Sequence, residues 1–270
     1  MTYEAVNSIS TERSYDTADE AERVACAVRA LIAKTAPDDA QLWLPLLIHL
    51  RDTAAVMEYL TARWLPEQYC VSLGLQREEF FRLAIRAALL HDIGKSKIPN
   101  EIIGKPGKLT DSEYEEIKKH PVIGYNLVKN LDIDQRIKNA VLLHHERFDG
   151  KGYPLGLTGN EIDDFTSIVS IADVYDAMTA NRCYRDGLCP FEVIAMFEKE
   201  GLTQFNPKYI LTFLDHIANT YINNEVLLSD GSSGKIVLIN KKLTRPTIQL
   251  DNGNFVNLES RLDLYVQAII

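Results

Sequence analysis

The 270-residue chain is 46% hydrophobic and 25% charged, an ordinary globular composition with length enough for a large core. Its formal net charge of −9 argues against unselective binding to a nucleic-acid polymer or an anionic membrane, although a local positive site or a metal can still take a small phosphorylated ligand. Cys26, Cys70, Cys183 and Cys189 form no Cys-x-x-Cys pair, no leader peptide is visible, and the apolar runs are far shorter than a membrane span, so a reduced, cytoplasmic protein is expected.

After a polar start over 1–15, helical periodicity appears over 17–34, with Val24, Val28, Leu31 and Ile32 on one face. A second helix is predicted over 41–65, carrying Leu46, His49, Val56 and Leu60. A third spans 80–92 and is apolar enough on all sides to be buried; Gly94 and Pro99 then force a loop. Thr110-Asp-Ser-Glu113 reads as a capping box opening a helix that ends at His120, before Pro121. Further helices are predicted over 134–146 and 165–181. Another starts at Asn206-Pro207 and runs to 222. Beyond Asn224 the pattern changes to short β-branched runs at 235–239, 247–250 and 255–258, with Asp251-Asn252-Gly253 as a hairpin turn. The chain therefore reads as mainly α, with an N-terminal helical segment (1–40), a helical domain (41–224) and a small C-terminal β appendage (225–270).

Five of the six histidines fall beside apolar helix faces. His91-Asp92 follows the buried run Ala87-Ala-Leu-Leu. Such a pair can simply cap a helix end, but a buried carboxylate without a partner costs several kcal/mol or more. Asp173 poses the same problem within Ile168-Val-Ser-Ile-Ala-Asp; a salt bridge, a cap or a bound cation would each answer it. His144-His145 ends an apolar helix, and adjacent helical residues point about 100° apart, so both reach one site only over the helix edge. His120 can be a helix-terminal cation, and His49 can pair with Asp52 one turn away. Each plain reading is adequate alone. Together they compound the burial of polar groups, and a shared metal site is the better account. His216 reads as a helix-surface residue, and Lys95 by itself as a solvated loop charge.

His91-Asp-Ile-Gly-Lys95, His120-Pro, His144-His-Glu-Arg-Phe-Asp-Gly-Lys-Gly-Tyr-Pro154, Ala172-Asp-Val-Tyr-Asp-Ala177 and Asn181-Arg-Cys-Tyr-Arg185 resemble the HD-GYP family over about residues 40–220. This is the branch of HD-domain phosphohydrolases that degrades bacterial cyclic dinucleotides, chiefly cyclic di-GMP. The resemblance implies an HD-type helical bundle with two divalent metals, iron or manganese. By position it makes His91, Asp92, His120, His144, His145 and Asp173 ligands, with Asp92 bridging and His49 as the first histidine. Trinuclear members carry a glutamate one turn before that histidine; Pro45 stands there, which favours two ions.

Lys95 matches the lysine that faces the substrate phosphate. Gly152, Tyr153 and Pro154 match the turn that shapes the guanine-side wall, and Arg182 and Arg185 match basic residues near the nucleotide. The implied reaction is hydrolysis of cyclic di-GMP to pGpG, with further cutting to GMP open, by a hydroxide generated at the metals and with Asp92 and Lys95 as catalytic groups. Two alternatives stand beside it: a hydrolase of another cyclic dinucleotide such as cyclic GMP-AMP, and a catalytically weak cyclic-dinucleotide receptor. The 17–34 helix can be core, a homodimer contact or the seat of a regulatory partner.

Overall fold

The computed structural model describes residues 74–105, 107–180 and 187–270. The helices expected over 17–34 and 41–65 lie outside these residues, as do His49, Arg182 and Arg185. Among the described residues, seven helices longer than one turn precede a five-stranded sheet.

Helix α1 (Arg77–Leu90) buries Phe80, Phe81, Leu83, Ala84, Ala87 and Ala88. It ends two residues earlier than expected. His91 is its C-cap, and Asp92 leads into a 3-10 turn, Ile93–Lys97. After a single helical turn at Asn100–Ile103, the predicted capping box opens α2 (Asp111–Ile117): Thr110 Oγ1 accepts from Glu113 N, while the Glu113 carboxylate accepts from Thr110 N.

The chain then departs from expectation. His120 does not end a helix but begins one, α3 (His120–Val128), with Pro121 in its first turn. Proline fits there because a first-turn amide has no intrahelical acceptor to lose. Helix α4 (Gln135–Leu143) follows, its N-cap Asp134 accepting from Arg136 N. Helix α5 (Asp164–Thr179) is the spine of the bundle, burying Phe165, Ile168, Val169, Ile171, Ala172 and Tyr175. Its buried hydroxyls are satisfied within the helix: Ser167 Oγ donates to Asp163 O and Ser170 Oγ to Thr166 O.

Helix α6 (Pro190–Met196) runs into a π turn, Phe197–Gly201, a single turn at Leu202–Gln204 and then α7 (Pro207–Ile217). The last predicted helix therefore stops at 217, and a 3-10 turn, Ala218–Tyr221, finishes it.

The strands are β1 (Glu225–Leu228), β2 (Ser233–Leu238), β3 (Thr247–Leu250), β4 (Phe255–Asn257) and β5 (Val266–Ile269), all antiparallel in the order β4-β3-β2-β1-β5. The expected hairpin joins β3 to β4, and Gly253 takes the positive φ of 85° that its turn requires. Strands β1 and β5 were not expected from the sequence.

One face of the sheet buries Val226, Leu228, Ile236, Ile248 and Val266. These side chains belong to the same core cluster as α1, α4, α5, α6 and α7. Tyr175 Oη on α5 and Tyr221 Oη before β1 lie 2.6 Å apart in a buried hydrogen bond, so the sheet is tied to the spine helix. The fold is mainly α with a small C-terminal sheet, as expected.

Candidate metal and active site

Three segments converge beside Asp173 of α5. The 3-10 turn after Asp92 packs on α3 because Gly94 has no side chain: a Cβ there would lie 1.9 Å from His120 O and 2.6 Å from Gly124 N. A Cβ at Gly124 would meet Val141 Cγ1 of α4 at 2.9 Å. Two glycines thus let three backbones close up, and Asp92, His120 and His144 meet as a result.

The rings are aimed by the backbone. His91 Nδ1 lies 2.7 Å from Ala88 O, His120 Nδ1 2.7 Å from Ile117 O and His144 Nδ1 3.0 Å from Ala140 O. A carbonyl only accepts, so each Nδ1 carries its proton and each Nε2 points at the centre. His120 Nε2 is 3.0 Å from Asp92 Oδ1, and His144 Nε2 is 3.6 Å from the same oxygen. His91 Nε2 is 3.4 Å from both Asp92 Oδ2 and Asp173 Oδ1. The two oxygens of Asp92 therefore face different histidines. His144, the C-cap of α4, and His145, just beyond it, have ring centroids 4.1 Å apart, so the two adjacent side chains approach one site where the helix ends.

Two donor sets result. Ligand atoms of Asp92, His120, His144 and His145 lie within 4.8 Å of one another, and so do those of His91, His144 and Asp173. All are buried except His145, which is half-buried. The His120 and His144 Nε2 atoms, each presenting a lone pair, are 3.2 Å apart. That spacing matches an edge of a coordination shell, since bonds of about 2.1 Å at roughly 90–110° give edges of about 3.0–3.4 Å. Imidazole and carboxylate together suit first-row divalent metals, so the residues present fit such an ion.

The electrostatics point the same way. Burial alone would lower the His91 pKa, but the Asp92 and Asp173 carboxylates outweigh it and raise it to about 9. Burial opposes ionisation of Asp92 as well, yet Lys95 and His91 hold its carboxyl well below the usual range. Burial pushes His144 down to about 4 against the pull of Asp92, and burial with the neighbouring His144 lowers His145. The two carboxylates favour positive charge beside them, while burial favours the neutral forms of His144 and His145.

Lys95 supplies part of that charge, because its ammonium sits on Asp92 Oδ2. It contacts the Asp92 carboxylate directly, a closer attachment to the cluster than a solvated loop charge would have.

The glycine-rich turn is built onto the histidines. Gly152 packs so closely that a Cβ would lie 2.4 Å from Arg147 N and 2.6 Å from His145 O. Tyr153 N donates to His145 O at 3.2 Å, and the Tyr153 ring stacks on His145 with centroids 4.7 Å apart. Pro154 follows through a cis peptide bond.

Glu146 was not singled out from the sequence, yet it holds this turn. Its buried carboxylate accepts from Leu155 N (2.6 Å), Gly156 N (3.2 Å) and Leu157 N (2.9 Å). The available signal was an acid placed directly before a glycine-rich loop whose amides need an acceptor. His216 is exposed on α7, as its pattern indicated. Asp176, one turn beyond Asp173, is a second buried acid that the sequence reading passed over.

Comparison with known proteins supplies the family. The HD domain family matches residues 45–209 of this chain. The chain belongs to the HD domain family. HD domains bind divalent metal, in agreement with the donor sets above. This HD domain protein is 40% identical over 141 residues to the cyclic di-GMP phosphodiesterase response regulator RpfG of Xanthomonas campestris, a match covering 51% of this chain and 37% of the relative. It is 38% identical over 154 residues to a cyclic di-GMP phosphodiesterase of Thermotoga maritima, covering 56% and 41%. It is 37% identical over 123 residues to the 3′3′-cGAMP-specific phosphodiesterase 3 of Vibrio cholerae, covering 46% and 27%. The match thus spans less than half the length of each of these relatives. Among the described residues, no helix is long and apolar enough to cross a membrane.

Proposed function

We propose that this HD domain protein is a metal-dependent phosphodiesterase that opens cyclic di-GMP to pGpG, using two divalent ions, iron or manganese. The observation that carries this reading is the convergence of Asp92, His120, His144 and His145 on one buried centre, with the Gly152–Pro154 turn built directly onto His145. The proposed ligands are His49, His91, Asp92, His120, His144, His145 and Asp173, carried by residues 41–224. Lys95, Gly152, Tyr153, Pro154, Arg182 and Arg185 are proposed to face the substrate, and residues 225–270 to buttress the bundle.

Bound divalent ions supply Lewis acidity at a phosphate oxygen and a nucleophile at neutral pH. The residues supply the rest. Carbonyl-anchored imidazoles hold their Nε2 atoms at fixed positions before substrate arrives, so no reorganisation is needed on binding. Asp92 turns one oxygen to each histidine group, the orientation a bridging carboxylate needs. Lys95, held at Asp92, places its charge beside the phosphate at which negative charge develops. The Gly152–Pro154 turn and the Tyr153 ring wall the site next to His145.

A second reading is hydrolysis of 3′3′-cyclic GMP-AMP, favoured by the Vibrio cholerae relative. The phosphate-handling residues are the same for either substrate. The test is side-by-side turnover of cyclic di-GMP, 3′3′-cyclic GMP-AMP and cyclic di-AMP by protein purified anaerobically with iron or manganese, with metal content measured. Cyclic di-GMP should be cut fastest, to pGpG. Asp92→Ala should lose metal and on the order of a hundredfold or more in rate. Full activity and unchanged metal content in that variant would refute the two-metal reading, and tight binding of cyclic di-GMP without turnover would point to a receptor instead.

A further inference from the structure

A chain of side chains leads from the metal cluster to the protein surface. His145 stacks on Tyr153, with centroids 4.7 Å apart and ring planes 30° apart. The Lys118 ammonium lies over Tyr153 at 6.0 Å from its centroid and over Tyr114 at 5.5 Å. Tyr114 is 48% exposed, so its ring is open to a ligand. Lys118 follows the last residue of α2 and stands two residues before His120, which fixes its place relative to the cluster. Its ammonium pairs with Glu115 Oε1 at 2.5 Å. The lysine side chain is part-buried but that carboxylate is mostly exposed, so Glu115 is free to give way to another acceptor.

We infer that Lys118 selects the base: its ammonium donates to the O6 and N7 acceptors of a guanine that lies against Tyr114, so the site prefers guanine over adenine. This rests on the phosphodiesterase reading above and names the feature that reads the base. A nucleotide whose phosphate sits at the histidines carries its base away from them, and the His145–Tyr153 wall leads to Lys118. Guanine offers two adjacent acceptors on that edge, whereas adenine offers one acceptor beside an amino group, and an ammonium has only donors. An exposed tyrosine face accepts either base by stacking, so the discrimination falls to the lysine.

The test compares kcat/KM for cyclic di-GMP and cyclic di-AMP in the metal-loaded wild type, Lys118→Met and Lys118→Arg. Methionine keeps the apolar stem, and arginine keeps the donors. Lys118→Met should lose about tenfold on cyclic di-GMP, mostly through KM, and stay within about twofold on cyclic di-AMP; Lys118→Arg should keep most of the preference. Equal losses on both substrates would make Lys118 a phosphate or structural contact, and no loss would remove it from the site; either overturns the inference while leaving the phosphodiesterase reading intact. If the metal-loaded wild type cuts neither substrate, the phosphodiesterase reading itself fails. GMP and AMP binding then decide for Lys118: a GMP preference lost in Lys118→Met supports it, and equal GMP binding by both proteins overturns it.

Discussion

Gly94 contributes to the site by having no side chain. A Cβ there would fall so close to the His120 carbonyl that Gly94→Ala must push the Asp92 turn away from α3. We expect a cost of about 1–3 kcal/mol, as for other overpacked sites, together with reduced metal retention. Denaturant titration and metal analysis of the purified variant check both; wild-type values for the two would refute the close-packing account. Lys95→Ala is expected to keep its metals and lose roughly a hundredfold in rate if, as proposed, the lysine stabilises charge on the substrate phosphate instead of forming a ligand bond. Loss of the metals in that variant would reassign Lys95 to support of Asp92. The clustering of the histidines and acids was readable in the sequence, because His-Asp and His-His pairs beside buried helices are costly unless they share a partner. Glu146 and Lys118 were not. Glu146 carried only the weak signal of an acid directly before a glycine-rich loop, and the importance of Lys118 depends on which rings the fold brings to it, which its local sequence does not record.

At the level of elements, the turn from Gly152 to Leu157 behaves as one unit because Glu146 gathers three successive amides. Glu146→Gln keeps the shape but has one acceptor oxygen in place of two, leaving at least one buried or half-buried amide poorly matched. We expect a rise in KM larger than the fall in kcat, since the turn walls the site and the ligand set is left in place. A variant with unchanged KM would remove the turn from substrate binding. The α2 cap makes a simpler case: Thr110→Ala should cost about 1 kcal/mol in denaturant titration. That cap was legible in the sequence, as was the β3–β4 hairpin, because each is written in four or five adjacent residues. Helix α3 was missed because Pro121 was read as a stop when it stands in a first turn. Helix α6 and strands β1 and β5 are four to seven residues long, too short for periodicity to register, and tertiary packing makes them.

At the scale of the molecule, sheet and bundle share a core, although the composition changes sharply near residue 224. Cys189 Sγ, next to α6, reaches Val266 O of β5 at 3.7 Å, and Tyr175 bonds Tyr221 across the junction. Tyr221→Phe strands the buried Tyr175 hydroxyl, at a cost of about 1–3 kcal/mol. Helical and sheet signals should still unfold together in one transition. Two separated transitions in the wild type would instead make the sheet an independent unit.

Asp173 and Tyr175 lie two residues apart on the same helix, one serving the cluster and the other gripping the segment that enters β1. A ligand that binds only the native state stabilises it by mass action, by about 2.7 kcal/mol at a hundred times its dissociation constant. That gain is shared by every part that opens together with the ligand's site. Amide protons of β1, far along the chain from any histidine of the cluster, should therefore exchange with deuterium more slowly when the protein is charged with manganese and faster after chelation. The C-terminal sheet would then act as a remote gauge of metal occupancy.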